Sequence, residues 1–453
     1  MNLVLIHITR RIIKIFQGTY LLQTIRIRIL VALLLMAMLT PPQSYCQEEK
    51  KIPDGTEGLY FKKHVYDSTT GLAKNLDDNE FDGKFSSFKI GMGLIYDFAT
   101  YIQDDEFKQQ MDSAGFDLGP TFKLRDFRVL GSGQLKTRRT LSFKFAFFYD
   151  GNLDTWLVRE SGITIGVPEL AGHIFIGRTK EGFSLVKVMN GHSPWGMERQ
   201  MVLDPIPILA DGIKWFGYLP KSRIFWNLGA FVDWISKGQG FSTFEWQYVA
   251  RVGWLPLYDK QNHKVVHLAG NFRYGKPVDG KITLKSRPES NPTPLILNTG
   301  QFDAEHSWHI GGEAYYSNKR FLIGSEILTH NFYSDQSGDH KFYGGDVFIA
   351  YMISGNTRPY NTVGSIYGFV PQAKKSIFKG GAGQWEAVLK FSKYDLDDGV
   401  IKGGKFWRIT PMVNWYLNKI IRWEFVYGYG IFERYNLKGK VQFFETRLQF
   451  SVL

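Results

Sequence analysis

Long runs of alternating apolar and polar residues constrain the fold of this chain more than any other feature. Within residues 88–98 every even position is large and apolar, whereas the odd positions are mostly polar or glycine. The same period of two recurs in 141–150, 246–254 and 421–431 and continues to the last residue. Successive side chains of a β-strand point to opposite faces, so each run predicts a strand with one apolar and one polar face.

The length of these runs indicates where the strands lie. They span about 10–14 residues, whereas strands of soluble proteins average about 5–6 residues and tilted strands that cross a bilayer need about 9–11. Aromatic residues form 16% of the chain, and Trp and Tyr stand at the ends of several runs, as the aromatic girdles of membrane barrels require. A soluble β-sandwich would explain the alternation but not the length of the runs.

We count seventeen such segments. Bacterial barrels close with an even number of strands, so the count predicts an all-β fold, a transmembrane antiparallel β-barrel of 16 strands, with 18 as the alternative. A barrel of that size leaves an aqueous channel. Connections of a few residues, such as 136–138, alternate with long ones, such as 179–208. The seventeen segments are 84–103, 122–136, 139–150, 154–167, 171–178, 209–219, 222–234, 244–257, 264–275, 280–287, 306–317, 320–331, 341–354, 383–396, 402–417, 420–433 and 440–453.

The amino terminus predicts export from the cytoplasm. Arg26 and Arg28 precede a short apolar run at 29–39, and Pro41 follows it; this order is typical of a secretory signal peptide. We therefore predict a cleaved signal peptide at 1–46, an N-terminal extension at 47–83 and the barrel at 84–453, with lipidation of Cys46 as an alternative to cleavage.

Charge and cysteine content exclude several classes of function. The net charge is +12, but the Lys and Arg residues are spread over the strands and form no basic arm, so no nucleic-acid partner is predicted. Cys46 is the single cysteine, and one thiol can form neither an internal disulfide nor a cysteine metal site. His306 and His309, three apart, fall on opposite faces of a strand. No catalytic motif is found, so the sequence predicts no enzyme, no metal and no cofactor.

Several short stretches, in their order and spacing, resemble the phosphate-selective porin O and P family. The likeness covers about residues 58–453. The stretches that carry it are Gly177-Arg178-Thr179-Lys180-Glu181-Gly182-Phe183-Ser184, Ser286-Arg287-Pro288-Glu289-Ser290, Ile353-Ser354-Gly355-Asn356-Thr357-Arg358-Pro359-Tyr360, Gly383-Gln384-Trp385-Glu386, Asn414-Trp415-Tyr416-Leu417-Asn418 and Thr446-Arg447-Leu448-Gln449-Phe450.

The resemblance implies a homotrimeric outer-membrane porin of a Gram-negative cell, with sixteen strands and a long loop folded into the lumen. Its partners would be small anions such as phosphate, outer-membrane lipid and the barrel-assembly machinery, which reads the aromatic alternation of the last strand. The function expected is passive diffusion of small anions. A general pore without charge preference, a barrel enzyme or adhesin, and a soluble secreted β protein are the alternatives.

An anion pore needs fixed positive charge near its axis, and strand parity gives the candidates. Lys281, Lys285 and Arg287 form the most favourable group, because they alternate with Ile282 and Leu284 and would line one strip of wall. In the loop expected to turn inward, Arg178, Lys180 and Lys187 would face the constriction. The other pore-lining candidates are Lys89, Lys144, Arg251, Arg273, Lys390, Arg408, Arg422 and Arg447.

These cations have a structural alternative. Carboxylates share the inward parity, and an inward Arg or Lys can pair with one of them and stiffen the wall instead of selecting anions. The acids concerned are Asp97, Asp150, Glu245, Glu386, Glu424 and Glu445. The segment 355–382 is expected to be a surface loop that Arg358-Pro359 introduces.

Overall fold

The computed structural model describes residues 79–235, 244–371 and 376–452. The predicted signal peptide, and the extension up to residue 78, lie outside the described residues. Among the described residues, no helix is long and apolar enough to cross a membrane.

Strands make up most of the described chain, and two short helices interrupt them. The helices are α1 (Asp105–Ser113) and α2 (Leu185–Val188), and single 3-10 turns lie at Pro168–Leu170, Met201–Leu203, Val278–Gly280 and Ile377–Lys379. The strands are β1 (Glu80–Asp82), β2 (Ser86–Gln103), β3 (Thr121–Leu135), β4 (Leu141–Asp150), β5 (Thr155–Val158), β6 (Ser161–Val167), β7 (Gly172–Thr179), β8 (Ala210–Leu219), β9 (Ile224–Val232), β10 (Phe244–Asp259), β11 (Lys264–Pro277), β12 (Lys281–Ser286), β13 (Leu297–Asp303), β14 (His306–Asn318), β15 (Phe321–Tyr333), β16 (His340–Met352), β17 (Tyr360–Asn361), β18 (Ile366–Tyr367), β19 (Gln384–Asp398), β20 (Ile401–Tyr416), β21 (Ile421–Arg434) and β22 (Leu437–Val452).

Sixteen wall strands close into one antiparallel barrel. β5 and β6 both pair with β4 and together make one wall strand. The last strand, β22, returns to pair with β2, and Arg447 lies opposite Asp97 in that register. This pairing leaves the sheet without a free edge, so all backbone groups of the wall can bond to each other, as a bilayer requires. The prediction of a sixteen-stranded barrel is confirmed.

The wall strands expose their apolar face and bury their polar face. On β14, Ile310 is 47% exposed, whereas its neighbour His309 is fully buried. On β2, Met92 is 51% exposed and Asp97 is fully buried. A soluble sandwich would show the opposite arrangement, because its apolar faces must be covered. An exposed apolar face is stable in lipid, and the wall therefore has the polarity of a membrane barrel.

One predicted wall strand does not belong to the wall. β12 pairs with β13 in a separate two-stranded sheet. The chain leaves the wall after Pro277 at a turn in which Asp279 and Gly280 take positive φ angles of 55° and 64°. The expectation that Lys281, Lys285 and Arg287 line one strip of wall is therefore wrong. Lys281 and Lys285 are exposed on the hairpin, while Ile282 and Leu284 between them are buried.

The two ends of the barrel differ in their connections. At one end the wall strands are joined by turns of a few residues, apart from 353–383. At the other end lie the long connections 104–120, 180–209 and 278–305, of which the first contains α1. This asymmetry matches the short periplasmic turns and long external loops of outer-membrane barrels.

Candidate pore and its lining

The connection between β7 and β8, residues 180–209, is buried over most of its length; we call it the buried loop. Its first part is fixed to the buried face of β15. The carboxylate of Glu326 accepts hydrogen bonds from Ser184 Oγ at 2.5 Å, Gln200 Nε2 at 2.9 Å and the Val186 amide at 3.1 Å. Three donors from two places in the loop thus converge on one buried carboxylate.

The middle of the buried loop contacts the buried faces of other wall strands. Asn414 of β20 donates to the Trp195 carbonyl at 2.9 Å, and Arg422 of β21 donates to the Pro194 carbonyl at 2.9 Å. Gln449 of β22 donates to the His192 carbonyl at 3.1 Å. These bonds satisfy backbone carbonyls of the buried loop, which need partners away from water. The buried faces of β15 and of β20 to β22 therefore hold one and the same loop.

A second irregular segment, 354–371, meets the buried loop. Arg358 is 2% exposed, and its Nε donates to the Ser193 carbonyl at 2.7 Å. The Tyr367 ring lies 6.4 Å from that of Trp195. The expectation that 355–382 is a surface loop is therefore wrong for its first part, because Arg358 finds its carboxylate, Glu386, on the buried face of β19. The segment's own alternation is too short to reveal this.

Most of the candidate cations are paired with carboxylates. Glu181, in the buried loop, contacts both Arg273 and Lys187, although burial opposes its ionisation. Such pairs fix the wall and the loop to each other and leave little charge for a passing ion. The pairs, by shortest contact, are Arg178–Asp211 (3.1 Å), Lys180–Glu160 (3.3 Å), Lys187–Glu181 (3.2 Å), Arg251–Glu313 (2.8 Å), Arg273–Glu181 (2.9 Å), Lys390–Glu289 (3.0 Å), Arg408–Glu445 (3.0 Å), Arg422–Glu424 (2.5 Å), Arg447–Asp97 (2.6 Å) and Lys144–Glu160.

The remaining candidates are Lys89 and the group at 281–287. Lys89 is partly exposed near the start of β2, and Lys281 and Lys285 are exposed on the β12–β13 hairpin. Arg287 is partly buried just after β12, and its Nε donates to the Thr293 carbonyl at 3.0 Å. Of the predicted group at 281–287, Arg287 borders an internal cavity.

That cavity is polar and has a volume of about 190 Å³. Three arginines on its lining, Arg159, Arg199 and Arg287, have no carboxylate within ion-pair distance in the described part of the chain. Arg199 donates to the Val186 carbonyl at 3.0 Å, and the guanidinium of Arg159 lies 5.1 Å from the Phe148 ring. We call these three the cavity arginines. Two larger hollows, of about 440 and 640 Å³, are lined mainly by apolar residues of the exposed face.

Two more arginines of the cavity lining, Arg125 and Arg128, are engaged with carboxylates. Arg125 bonds to Glu198 and to Asp126, both at 2.5 Å, and Arg128 bonds to Asp126 at 2.6 Å. Burial opposes ionisation of Glu198, but the charges of Arg125 and Arg447 outweigh it and hold the pKa of Glu198 below its ordinary value. These residues therefore form a fixed ionic frame, against which the cavity arginines stand out.

Two groups of the buried loop have shifted pKa values beside this cavity. Burial lowers the pKa of Arg199 to about 10, so the group still carries its charge at neutral pH. The surrounding protein raises the pKa of Asp204 to about 7 from the ordinary 3.8. Because the Asp204 side chain also reaches solvent, which favours ionisation, we expect its midpoint between these two values.

The sequence prediction missed Arg125, Arg128, Arg159 and Arg199 for identifiable reasons. The β2–β3 register shifts at Leu124 to Asp126, and such a bulge brings consecutive residues to one face. The wall strand is also interrupted between β5 and β6, and this break changes the alternation at Arg159. Arg199 lies in a loop, where parity has no meaning. The switch from one face to the other within 122–128 is the signal that could have identified the bulge.

Comparison with known proteins agrees with this architecture. Residues 88–451 match the family described as phosphate-selective porin O and P. Among curated proteins, no sequence matches this chain.

Among solved structures, the fold resembles several outer-membrane proteins at low sequence identity. OmpF of Salmonella typhi, solved with daunomycin, has a TM-score of 0.52 and 9% identity over 82% of this chain and 100% of its own. OmpT of Vibrio cholerae has a TM-score of 0.51 and 11% identity over 82% of this chain and 99% of its own. An anion-selective porin from Comamonas acidovorans has a TM-score of 0.50 and 11% identity over 81% of this chain and 100% of its own. The barrel fold, its polarity and the match over most of the chain together establish that this protein belongs to the phosphate-selective porin O and P family of outer-membrane porins.

Proposed function

We propose that this porin lets small anions diffuse passively across the outer membrane of a Gram-negative cell, and that the cavity arginines select for them. The observation that carries the proposal is a contrast among the described residues: the three cavity arginines have no carboxylate within ion-pair distance, whereas most of the other candidate cations do. A passing anion loses part of its hydration and needs fixed positive charge in compensation. Arginine suits phosphate in particular, because its planar fork matches two phosphate oxygens.

The buried loop has a defined part in this proposal. It runs through the lumen and narrows the pore, and it contributes Arg199 to the cavity. Its bonds to Glu326, Asn414 and Arg422 support this role, because they hold it against the buried faces of three wall strands, β15, β20 and β21. A loop fixed in this way keeps Arg199 in place while ions pass.

A general pore with little charge preference is the second candidate. The cavity lining holds five arginines but also five carboxylates, of which Asp150 and Asp204 have no cation within ion-pair distance among the described residues. If these two stay ionised, they offset much of the field of the cavity arginines. The two functions predict different changes in ion selectivity when positive charge is removed from the cavity.

Charge removal tests the proposal against its alternative. The variant Arg159→Gln/Arg199→Gln/Arg287→Gln is compared with the wild type in planar bilayers across a KCl gradient. A charge about 7 Å from an ion in water changes the local ion concentration about threefold, upward for chloride and downward for potassium. Removal of three such charges should therefore lower the permeability ratio of chloride to potassium by at least about an order of magnitude. The control Lys281→Gln/Lys285→Gln removes charge on the exposed hairpin and should change the ratio little. Equal effects in both variants would favour the general pore.

The assembly of the protein is part of the proposal. We expect homotrimers embedded in outer-membrane lipid after export by the signal peptide and insertion by the barrel-assembly machinery. The family resemblance supports the trimer. Native mass spectrometry of detergent-extracted protein measures it directly, and a monomer as the main species would contradict it.

A further inference from the structure

The end of the barrel with short turns carries exposed charge of almost one sign. Within the described parts of these turns, Glu169 is the exposed acid, and it pairs with Arg139 at 2.5 Å. Exposed cations, by contrast, lie in nearly every turn; we call them the basic rim. They are Arg138, Arg139, Lys221, Arg223, Lys260, Lys319, Arg320, Lys379 and Lys419.

Among the described residues, the opposite end of the barrel has no such bias. There, exposed Asp105, Glu106 and Asp335 alternate with exposed Lys108 and Lys438. A one-signed rim is therefore a property of one end and not a consequence of the positive net charge. Like charges repel one another, and a rim of this kind is most stable when it faces a surface of opposite charge.

Exposed apolar side chains lie directly beside the basic rim. The Arg320 guanidinium donates to the carbonyl of Ile353 at 3.4 Å, and Arg223 is followed by another exposed isoleucine. A cation beside an exposed apolar group is the pattern of a membrane interface, where acyl chains meet headgroups. The apolar neighbours are Leu219 (41% exposed), Ile224 (39%), Tyr316 (36%), Ile353 (54%) and Phe378 (67%).

A stack of three indoles marks the membrane boundary at the same end. Trp385, Trp415 and Trp423 lie on three successive strands, with ring centroids 4.7 and 6.4 Å apart. Trp385 and Trp415 both donate their indole N–H to the Ala382 carbonyl. Tryptophan with its polar edge satisfied is typical of the aromatic girdle at headgroup depth. The basic rim therefore lies at or just beyond that depth.

We propose that the basic rim binds the phosphate groups of anionic phospholipids in the leaflet on the periplasmic side, the side that short turns of outer-membrane barrels face. The cations follow the circumference of the wall, next to apolar groups that insert into lipid. A soluble acidic partner would need a basic patch that faces away from the membrane. This inference concerns the outside of the barrel and does not depend on what passes through it.

Quenching of tryptophan by brominated lipids tests the proposal. The folded protein is reconstituted in phosphatidylcholine with increasing fractions of brominated phosphatidylglycerol, or of brominated phosphatidylcholine as reference. A well-placed Lys or Arg favours an anionic lipid about fivefold, so the wild type should prefer phosphatidylglycerol by about that factor, and the preference should fall as salt is added.

Two matched variants complete the experiment. The rim variant Lys221→Gln/Arg223→Gln/Lys319→Gln/Arg320→Gln should lose the preference. The control Lys341→Gln/Lys402→Gln/Lys438→Gln/Lys440→Gln removes as many charges at the opposite end and should keep it.

Three results would overturn the proposal: no preference in the wild type, equal loss in both variants, or binding of soluble polyglutamate instead of lipid. The heat-dependent gel shift of folded barrels confirms folding. If the rim variant does not fold, the pairs Lys221→Gln/Arg223→Gln and Lys319→Gln/Arg320→Gln are measured separately and should each reduce the preference.

Discussion

Replacement of Arg358 by methionine should destabilise the barrel strongly, because this arginine joins two irregular segments to the wall. Its guanidinium contacts both carboxylate oxygens of Glu386, and both side chains are fully buried. It also donates to the carbonyls of Ser193 and Pro194 in the buried loop. In Arg358→Met, Glu386 keeps Asn414 and Tyr416 as donors but loses its counter-charge.

The expected loss of stability follows from these contacts. Removal of one partner from a buried ion pair costs about 3–5 kcal/mol, since the other charge stays buried without compensation. The Ser193 carbonyl also loses its donor from Arg358. In Arg358→Met/Glu386→Gln no uncompensated charge remains, so the double variant should be more stable than the sum of the two single changes predicts, by at least ~2 kcal/mol.

Urea unfolding in lipid vesicles, followed by tryptophan fluorescence, measures the free energy of unfolding for the wild type and the three variants. A cost below ~1 kcal/mol for Arg358→Met, or strict additivity in the double variant, would refute the idea that a buried, paired charge fixes the two segments.

Three further predictions concern the lining and its support. Asp204→Asn should remove a pH dependence: in the wild type the carboxyl ionises beside Arg287 as pH rises through its midpoint, between 3.8 and about 7, so reversal potentials should show falling anion preference as pH rises through that range, and a flat wild-type profile would contradict this. Glu326→Gln should cost about 1–3 kcal/mol, since an amide cannot accept all the donors of the buried loop, and single-channel records should show more current fluctuation; an unchanged record and stability would oppose it. Gly439→Ala should lower stability in urea by about 1–3 kcal/mol, because an added Cβ would lie 2.3 Å from the Phe107 backbone; an unchanged midpoint would show that α1 does not contact β22 this closely.

The wall of this barrel was predictable from sequence because one physical rule applies along its whole length. In lipid every wall strand must expose apolar side chains on one face, so the period of two is repeated sixteen times with little interruption. The one wrong segment, 280–287, obeys the same period because β12 also has one buried face, formed by Ile282 and Leu284. Alternation shows that a strand is covered on one side, but it does not show by what.

The cavity was less predictable, because its residues are placed where the rule fails. Arg159 enters the lining through a break in a wall strand, and Arg199 belongs to a loop whose path depends on contacts with distant strands. The partners of the inward cations were also hidden: Glu181 and Glu198 come from the buried loop and reach Arg273 and Arg447 across long separations in sequence. Parity identifies which cations point inward, but only the fold shows which of them remain without a carboxylate.

The reversal potential of the wild-type channel across a KCl gradient, with and without phosphate, tests the central claim most directly. The cavity arginines predict a potential of the sign for anion selectivity, and phosphate should reduce the chloride current by occupying the same site. A potential near zero or of the cation-selective sign would contradict anion selection and would leave a general pore in which the cations of the lining serve only to hold the wall together.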